Sequence, residues 1–112
     1  LLVERCPGLT VTLDPSHFAY GGYSAVDMAT LAGHTRHVQV RPAGPGVMQA
    51  KVRDNHVDLT VLLRALRDVG YDSWIASEFV WMEKWRCDEV DNTGESWNLR
   101  SLLLQLMTEV GW

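Results

Sequence analysis

Three residues whose side chains suit acid–base or metal chemistry lie in or directly after short apolar runs. Asp14 follows LTVTL, Gln39 lies within HVQVR, and Glu78 follows WIAS. Each run has the β-branched and apolar character of a short strand. Because the carboxyl ends of parallel strands lie on one side of a sheet, we expect the three side chains to converge on one point.

Two carboxylates and an amide oxygen form a hard, oxygen-rich set of ligands, which suits Mg²⁺ or Mn²⁺ better than a metal that prefers thiolates. Asp14 before Pro15 also fits a simple Asx-type turn with no chemical role. Glu78 is harder to explain as a structural residue, because burying an unpaired carboxylate is costly. Glu78 therefore needs a cationic side chain, a metal ion or a raised pKa.

Three more polar residues lie close enough along the chain to join this site. His17 follows Asp14 by three positions, and the alternation of HVQVR puts His37 and Arg41 on the same strand face as Gln39. Each also has a structural explanation. A histidine in a loop is often a plain hydrogen-bonding residue, and Arg41 would pair with any neighbouring carboxylate.

Trp81, Trp85 and Trp97 follow the third strand, where they would either surround a ligand or pack the last helix against the rest of the fold. Trp81 lies in the loop behind Glu78, where it would either form a hydrophobic wall around a ligand or pack against the protein. For Trp97, within the last helical pattern, we predict packing of that helix against the sheet.

Strands and helices alternate along the chain. Strands are predicted over 9–13, 37–41 and 74–79, and helices over 25–32, 59–69 and 93–109. The order β-α-β-α-β-α predicts parallel pairing with right-handed crossovers in one domain, residues 1–112. The long connections follow strands and the short ones precede them, which is typical of barrel enzymes.

The bulk properties exclude several classes of protein. The net charge of −4 disfavours nucleic-acid and anionic-membrane partners. No apolar run is long enough to span a membrane, and no signal segment opens the chain. Cys6 and Cys87 lack metal-site spacing and are predicted to be free thiols in a reducing, cytoplasmic compartment. Residues 1–5, which lack a starting Met, indicate the tail of a helix in a longer polypeptide.

The segments TLDPSH, HVQVRPA and DVGYDSWIASEF, in this order, resemble the sugar phosphate isomerase/epimerase family, the xylose isomerase-like (β/α)₈ barrels. The resemblance covers nearly the whole chain. It implies an α/β fold made of the C-terminal three βα units of a TIM barrel, strands six to eight, with the barrel incomplete.

The resemblance also implies a metal site. In that family a divalent cation is held by Glu, Asp, His and Glu from strands five to eight. Asp14 and Glu78 match strands six and eight, and the strand-five Glu would precede this chain. Gln39 stands where the metal-binding His is expected. Either Gln39 oxygen binds the metal, or His37 replaces it, or affinity is reduced; we favour Gln39, because His37 lies about 6–7 Å earlier along the strand.

The implied reaction is isomerisation or epimerisation of a sugar or sugar phosphate. A proton moves next to a carbonyl through an enediolate that the metal stabilises, with Glu78 as one of two catalytic carboxylates. The predicted substrate contacts are His17, His37, Arg41 and Trp81. Without the upstream barrel half the chain should be a poor enzyme that associates with itself or with that half. The alternatives are a non-catalytic α/β module or a degenerate barrel without its metal site.

Overall fold

The computed structural model describes residues 2–112 and contains one sheet of three parallel strands in chain order. The strands are β1 Val11–Leu13, β2 Thr35–Val40 and β3 Ile75–Ser77. The central strand β2 pairs in parallel with both neighbours. The predicted α/β class with parallel pairing is confirmed. The outer strands are shorter than predicted, and the middle strand begins two residues earlier.

Five α-helices and four short 3₁₀ helices accompany the sheet within residues 2–112. The α-helices are α1 Leu2–Arg5, α2 Pro15–Gly21, α3 Ala25–Ala29, α4 Leu59–Asp68 and α5 Asn92–Val110. Each α-helix after α1 has an N-cap side chain that accepts a hydrogen bond from a backbone N–H of the first turn. These caps are Asp14, Ser24, Asp58 and Asp91. The helices α4 and α5 lie within a residue of their predicted bounds.

The short helix α2 was not predicted from the sequence, which indicates only a turn after Asp14. Asp14 caps this helix through the backbone N–H of Ser16, and Pro15 occupies its first turn, where a missing N–H costs nothing. The same residues are typical of a turn and of a helix start, so local pattern alone does not separate the two.

One face of the sheet is covered by helices. Leu13, Val38 and Val40 are almost fully buried there and share one core with apolar side chains of the helices. These helical residues are Met28, Leu59, Leu62, Leu63, Leu66, Leu99 and Leu103. Right-handed crossovers between strands in chain order place successive helices on the same side, which explains this one-sided core.

The opposite face of the sheet is left open. Thr12 is exposed, and its strand neighbour His37 is half-buried, as are Gln39 and its partner Ala76. Parallel sheets normally have both faces covered. This face therefore stands out as a surface where further protein or a ligand would fit.

The two cysteines are free and the first described residues are helical, as the sequence predicts. Cys6 is exposed, Cys87 is buried, and neither forms a disulfide. Residues 2–5 are helical, whereas Leu1 of the predicted helix tail lies outside the described residues. Over residues 2–112 no helix combines the length and the apolarity needed to cross a bilayer.

An apolar groove of about 1060 Å³ runs between the outer edge of β3 and one side of α5. Its walls include Trp74, Trp97, Leu104 and Trp112, which are all substantially exposed. The prediction that Trp97 packs against the sheet is wrong, because 67% of this residue is exposed. Trp97 lies instead in the wall of the groove, together with Trp74 and Trp112.

We expect the 112-residue chain to self-associate, because β1 and β3 both present unpaired edges and the groove beside β3 is apolar. Light scattering after size exclusion, across a dilution series, should give a mass above the 12.6 kDa of one chain. Trp74→Lys with Trp97→Lys should lower that mass, whereas Trp81→Lys, an exposed position outside the groove, should not. A wild-type monomer at every dilution would contradict this prediction.

Candidate active site at the carboxyl ends of the strands

A buried arginine joins the ends of all three strands. Arg41 directly follows β2, and only 5% of its side chain is exposed. Its Nη2 donates to Oδ2 of Asp14 at 3.0 Å, and its Nη1 lies 3.4 Å from Oε2 of Glu78. Its Nε donates to Oγ of Ser16 at 3.0 Å. The guanidinium thus contacts two carboxylates that follow β1 and β3.

Asp14 uses both of its carboxylate oxygens. Oδ1 accepts hydrogen bonds from the backbone N–H and the hydroxyl of Ser16. Oδ2 accepts from Arg41 and lies 3.4 Å from Nε2 of His17. The turn role and the site role considered for Asp14 therefore coexist in one side chain, since the cap of α2 brings Ser16 and His17 around the same carboxylate.

Glu78 follows β3, and its backbone N–H donates to the carbonyl of Val40 at 2.9 Å. Its side chain is 30% exposed, so it remains accessible to a ligand. Burial raises the pKa of the Glu78 carboxyl; the Arg41 guanidinium opposes this effect, and the negative charge of Asp14 adds to it. A carboxyl group whose pKa is raised holds its proton more readily and suits general acid–base chemistry.

The other predicted site residues lie outside this ion-pair cluster. Gln39 pairs with Ala76 in the middle of the sheet, and His37 lies two residues earlier, beside Thr12. Both lie on the open face, along the same side of the strand as Arg41. Trp81 lies in the loop after Glu78 and is 73% exposed. The structure thus brings together Asp14, His17, Arg41 and Glu78, with Gln39 and His37 deeper on the open face.

The oxygen ligands of the cluster are of the type that a hard divalent cation prefers, but they are too few to complete its coordination. Asp14 and Glu78 border the same guanidinium, so their oxygens face one small volume. Within residues 2–112 no three His, Cys, Asp or Glu side chains are grouped closely enough to hold a metal ion. The two carboxylates are the charged ligands this chain offers there, and Gln39 would add a neutral oxygen.

Gln49 supports the site although sequence reasoning did not select it. This residue is 3% exposed, and its Nε2 donates to the carbonyls of Val80 and Cys87 and to Oδ1 of Asn92. Its Oε1 accepts the backbone N–H of Val80 at 2.8 Å. One side chain thereby ties the loop after β2 to the loop that carries Trp81. No pattern in the sequence signals this role, because its partners lie 31 to 43 positions away.

Comparison with models of known protein families, with curated proteins and with solved structures finds no match for this chain. The resemblance in the strand-end segments therefore remains a prediction.

Gln49→Leu should destabilise the protein by about 3 kcal/mol, because buried polar groups of Val80, Cys87 and Asn92 lose their partner. Urea unfolding followed by circular dichroism measures this change. The matched control is Gln105→Leu on α5, where an exposed side chain loses one hydrogen bond to Glu109. Equal unfolding free energies for the two variants would contradict the proposed tie between the loops.

The free energy of unfolding of Glu78→Gln should rise relative to that of the wild type as pH rises. The folded-state pKa of Glu78 lies above its ordinary value of 4.5, so its stabilising protonation is complete below that pH and lost as pH rises through the folded pKa. Urea unfolding without added metal, at a series of pH values from below 4.5 to neutrality, gives the free-energy difference. A difference that is flat or falls with pH would contradict the raised pKa, and Glu83→Gln controls for the loss of a carboxylate.

Proposed function

We propose that this chain forms the last three βα units of a (β/α)₈ barrel that isomerises or epimerises a sugar or sugar phosphate. Three features of the fold support a barrel origin. The strands follow one another in chain order, the helices share one face, and both outer edges of the sheet are unpaired. In a closed barrel those edges would pair, and the open face would become part of the packed interior.

The observation that carries the proposed activity is the contact of Asp14 and Glu78 with one buried guanidinium at the carboxyl ends of the strands. Barrel enzymes build their active sites at this end. A reaction that moves a proton next to a carbonyl needs a carboxyl group that both holds and releases a proton. Glu78 suits that task, because it is accessible and burial raises its pKa.

Each nearby residue has a proposed role. Glu78 takes a proton from the carbon next to the carbonyl. It delivers this proton to the adjacent carbon in an isomerisation, whereas in an epimerisation a second carboxylate reprotonates the opposite face of the same carbon. His17 donates hydrogen bonds to sugar or phosphate oxygens from the exposed rim, and Arg41 donates through the N–H groups of Nη1 and Nη2 that its carboxylate partners leave unused. His37 and Trp81 bound the sugar from the open face and from the loop after β3. Asp14 orients Arg41 and His17 through its Oδ2.

The divalent cation that the resemblance implies is the proposed cofactor, for which this chain supplies only two charged ligands at the strand ends. Asp14 and Glu78 would hold Mg²⁺ or Mn²⁺ with the amide oxygen of Gln39, and the bound cation would polarise the carbonyl oxygen of the substrate. A fourth ligand, and a second carboxylate for proton transfer, are the groups that the family resemblance assigns to the upstream part of a barrel.

A second candidate is a barrel that binds a ligand without catalysis. It is favoured by the pairing of Asp14, whose two oxygens already accept hydrogen bonds from Ser16 and Arg41. Three of the roughly four acceptor positions of this carboxylate are thus used, which leaves little room for a metal ion in this arrangement. Catalytic proton exchange separates the two candidates, because a binding protein leaves the carbon-bound protons of a sugar in place.

Glu78→Gln should reduce turnover by about 10²–10⁴-fold, because the variant loses the group that transfers the proton. The assay is incorporation of deuterium from D₂O next to the carbonyl of a panel of ketoses and ketose phosphates, followed by NMR with added Mn²⁺ or Mg²⁺. It is made on the longest native polypeptide that contains this chain. Glu83→Gln, in the exposed turn after Trp81, is the matched control.

Circular dichroism should show the same fold for Glu78→Gln as for the wild type. Wild-type exchange rates in a folded Glu78→Gln variant would rule out this residue as the catalytic carboxylate. Absence of exchange in the wild type with every sugar of the panel would favour the binding protein.

A further inference from the structure

A second cavity, the loop cleft, lies between the loop that follows β2 and the loop that follows β3. Its volume is about 560 Å³, and small-molecule sites commonly measure about 300–1,000 Å³. One wall is formed by residues between 44 and 56, and the other carries Trp85 and Arg86. Asp14, Arg41 and Glu78 do not line it, so the loop cleft is separate from the strand-end cluster.

Hydrogen bonds hold the walls of the loop cleft in place. Gly44 and Val47 exchange two backbone hydrogen bonds, of 2.9 and 2.8 Å, and the N–H of His56 donates to the carbonyl of Ala43 at 2.8 Å. Gln49 joins this wall to the other loop through the hydrogen bonds described above. Because the walls are already fixed, a ligand that binds between them pays little for ordering the protein.

Two local features of the backbone bring side chains to the loop cleft. Gly44 leaves space for the imidazole of His56, since a Cβ atom at position 44 would lie 2.9 Å from Cδ2 of that ring. In the opposite wall, Arg86 has a φ of 56°, and no other non-glycine residue within 2–112 has a positive φ. Backbone strain of this kind concentrates at binding and catalytic sites.

The two carboxylates in the lining are each paired with an arginine. Asp54 lies 3.4 Å from Nε of Arg53, and Glu89 lies 2.8 Å from Nε of Arg86. Each pair has no net charge, so these carboxylates do not make the loop cleft negative. The remaining ionised groups therefore decide which charge a ligand needs.

The groups that remain are hydrogen-bond donors beside an aromatic ring. In the part of the chain that the structure describes, neither the ammonium of Lys51 nor the imidazole of His56 has a side-chain partner. Lys51 is positively charged, and an imidazole donates through a ring N–H. Trp85 is 37% exposed, and the Nζ atom of Lys84 lies 5.6 Å from its ring centroid, which adds a second positive charge nearby. The lining thus offers an indole surface and donors suited to an anion.

We propose that the loop cleft binds a small organic anion with a ring-shaped body and a phosphate or carboxylate group. The body packs against the indole of Trp85, and the anionic group accepts hydrogen bonds from Lys51 and His56. Arg86 stays paired with Glu89 and borders the ligand. The proposal does not rest on the isomerase activity, because the strand-end residues lie outside this cleft.

The first test is calorimetry with phenyl phosphate, benzoate and benzyl alcohol, made on the longest native polypeptide that contains this chain. The first two probes carry the two anionic groups, and benzyl alcohol is a neutral ring of similar size. At least one anion should bind about tenfold more tightly than benzyl alcohol, because only an anion pairs with the ammonium. The tighter of the two identifies the preferred group. Equal affinities for all three probes, or no saturable binding of either anion, would overturn the proposal.

Variants of the lining test where that anion binds. Lys51→Met should weaken its binding about tenfold, whereas Arg64→Met, which removes an exposed cation of α4 outside the cleft, should not. Trp85→Leu should also weaken it, and Trp81→Leu, at an exposed position outside the cleft, should leave it unchanged. Circular dichroism checks the fold of each variant. Wild-type affinity in a folded Lys51→Met variant would rule out this site.

A measurement on the wild type locates the anion without any substitution. Acetic anhydride modifies accessible lysines, and peptide mass spectrometry resolves Lys51 from Lys84. A saturating concentration of the tighter anion should slow the acetylation of Lys51 several-fold, and benzyl alcohol at the same concentration is the control. An acetylation rate of Lys51 that the bound anion does not change would place the anion elsewhere and reject the proposal.

Discussion

The buried guanidinium of Arg41 is the interaction on which the end of the sheet depends. Burying a charge is costly unless it is paired, and here two carboxylates and a hydroxyl satisfy it. Its partners follow β1 and β3, so one side chain connects the ends of three strands. Removal of Arg41 would leave the carboxylates of Asp14 and Glu78 facing each other without a cation. The arrangement of the strand ends therefore depends on the positive charge of this one side chain.

The one-sided arrangement of helices explains why such a cluster lies next to free space. Strands in chain order with right-handed crossovers bury one face of the sheet and leave the other uncovered. The alternation of β2 then separates Val38 and Val40, which face the core, from His37 and Gln39, which face the open side. The same topology thus creates both the hydrophobic core and the polar surface beside the site.

Local patterns predicted most of the secondary structure but not the packing around it. The leucine stripes of α4 and α5 and the alternation in β2 follow from periodicity that neighbouring residues alone determine. The helix α2 was missed, because Asp14 and Pro15 suit a turn as well as a helix start. The packing predicted for Trp97 was wrong, because periodicity identifies an apolar side chain without showing whether another element covers it.

The sequence by itself determined the alternation of strands and helices, apart from α2, and the presence of a carboxylate after each outer strand, since both depend on residues close together in the chain. Only the tertiary structure decided how those carboxylates are used. Arg41 and Asp14 are 27 positions apart, and Gln49 reaches the carbonyl of Val80 across 31 positions. Such contacts depend on how the strand ends and loops meet in space. The type of a polar side chain allows many hydrogen-bonding partners, so its position in the sequence does not identify the partner that it binds.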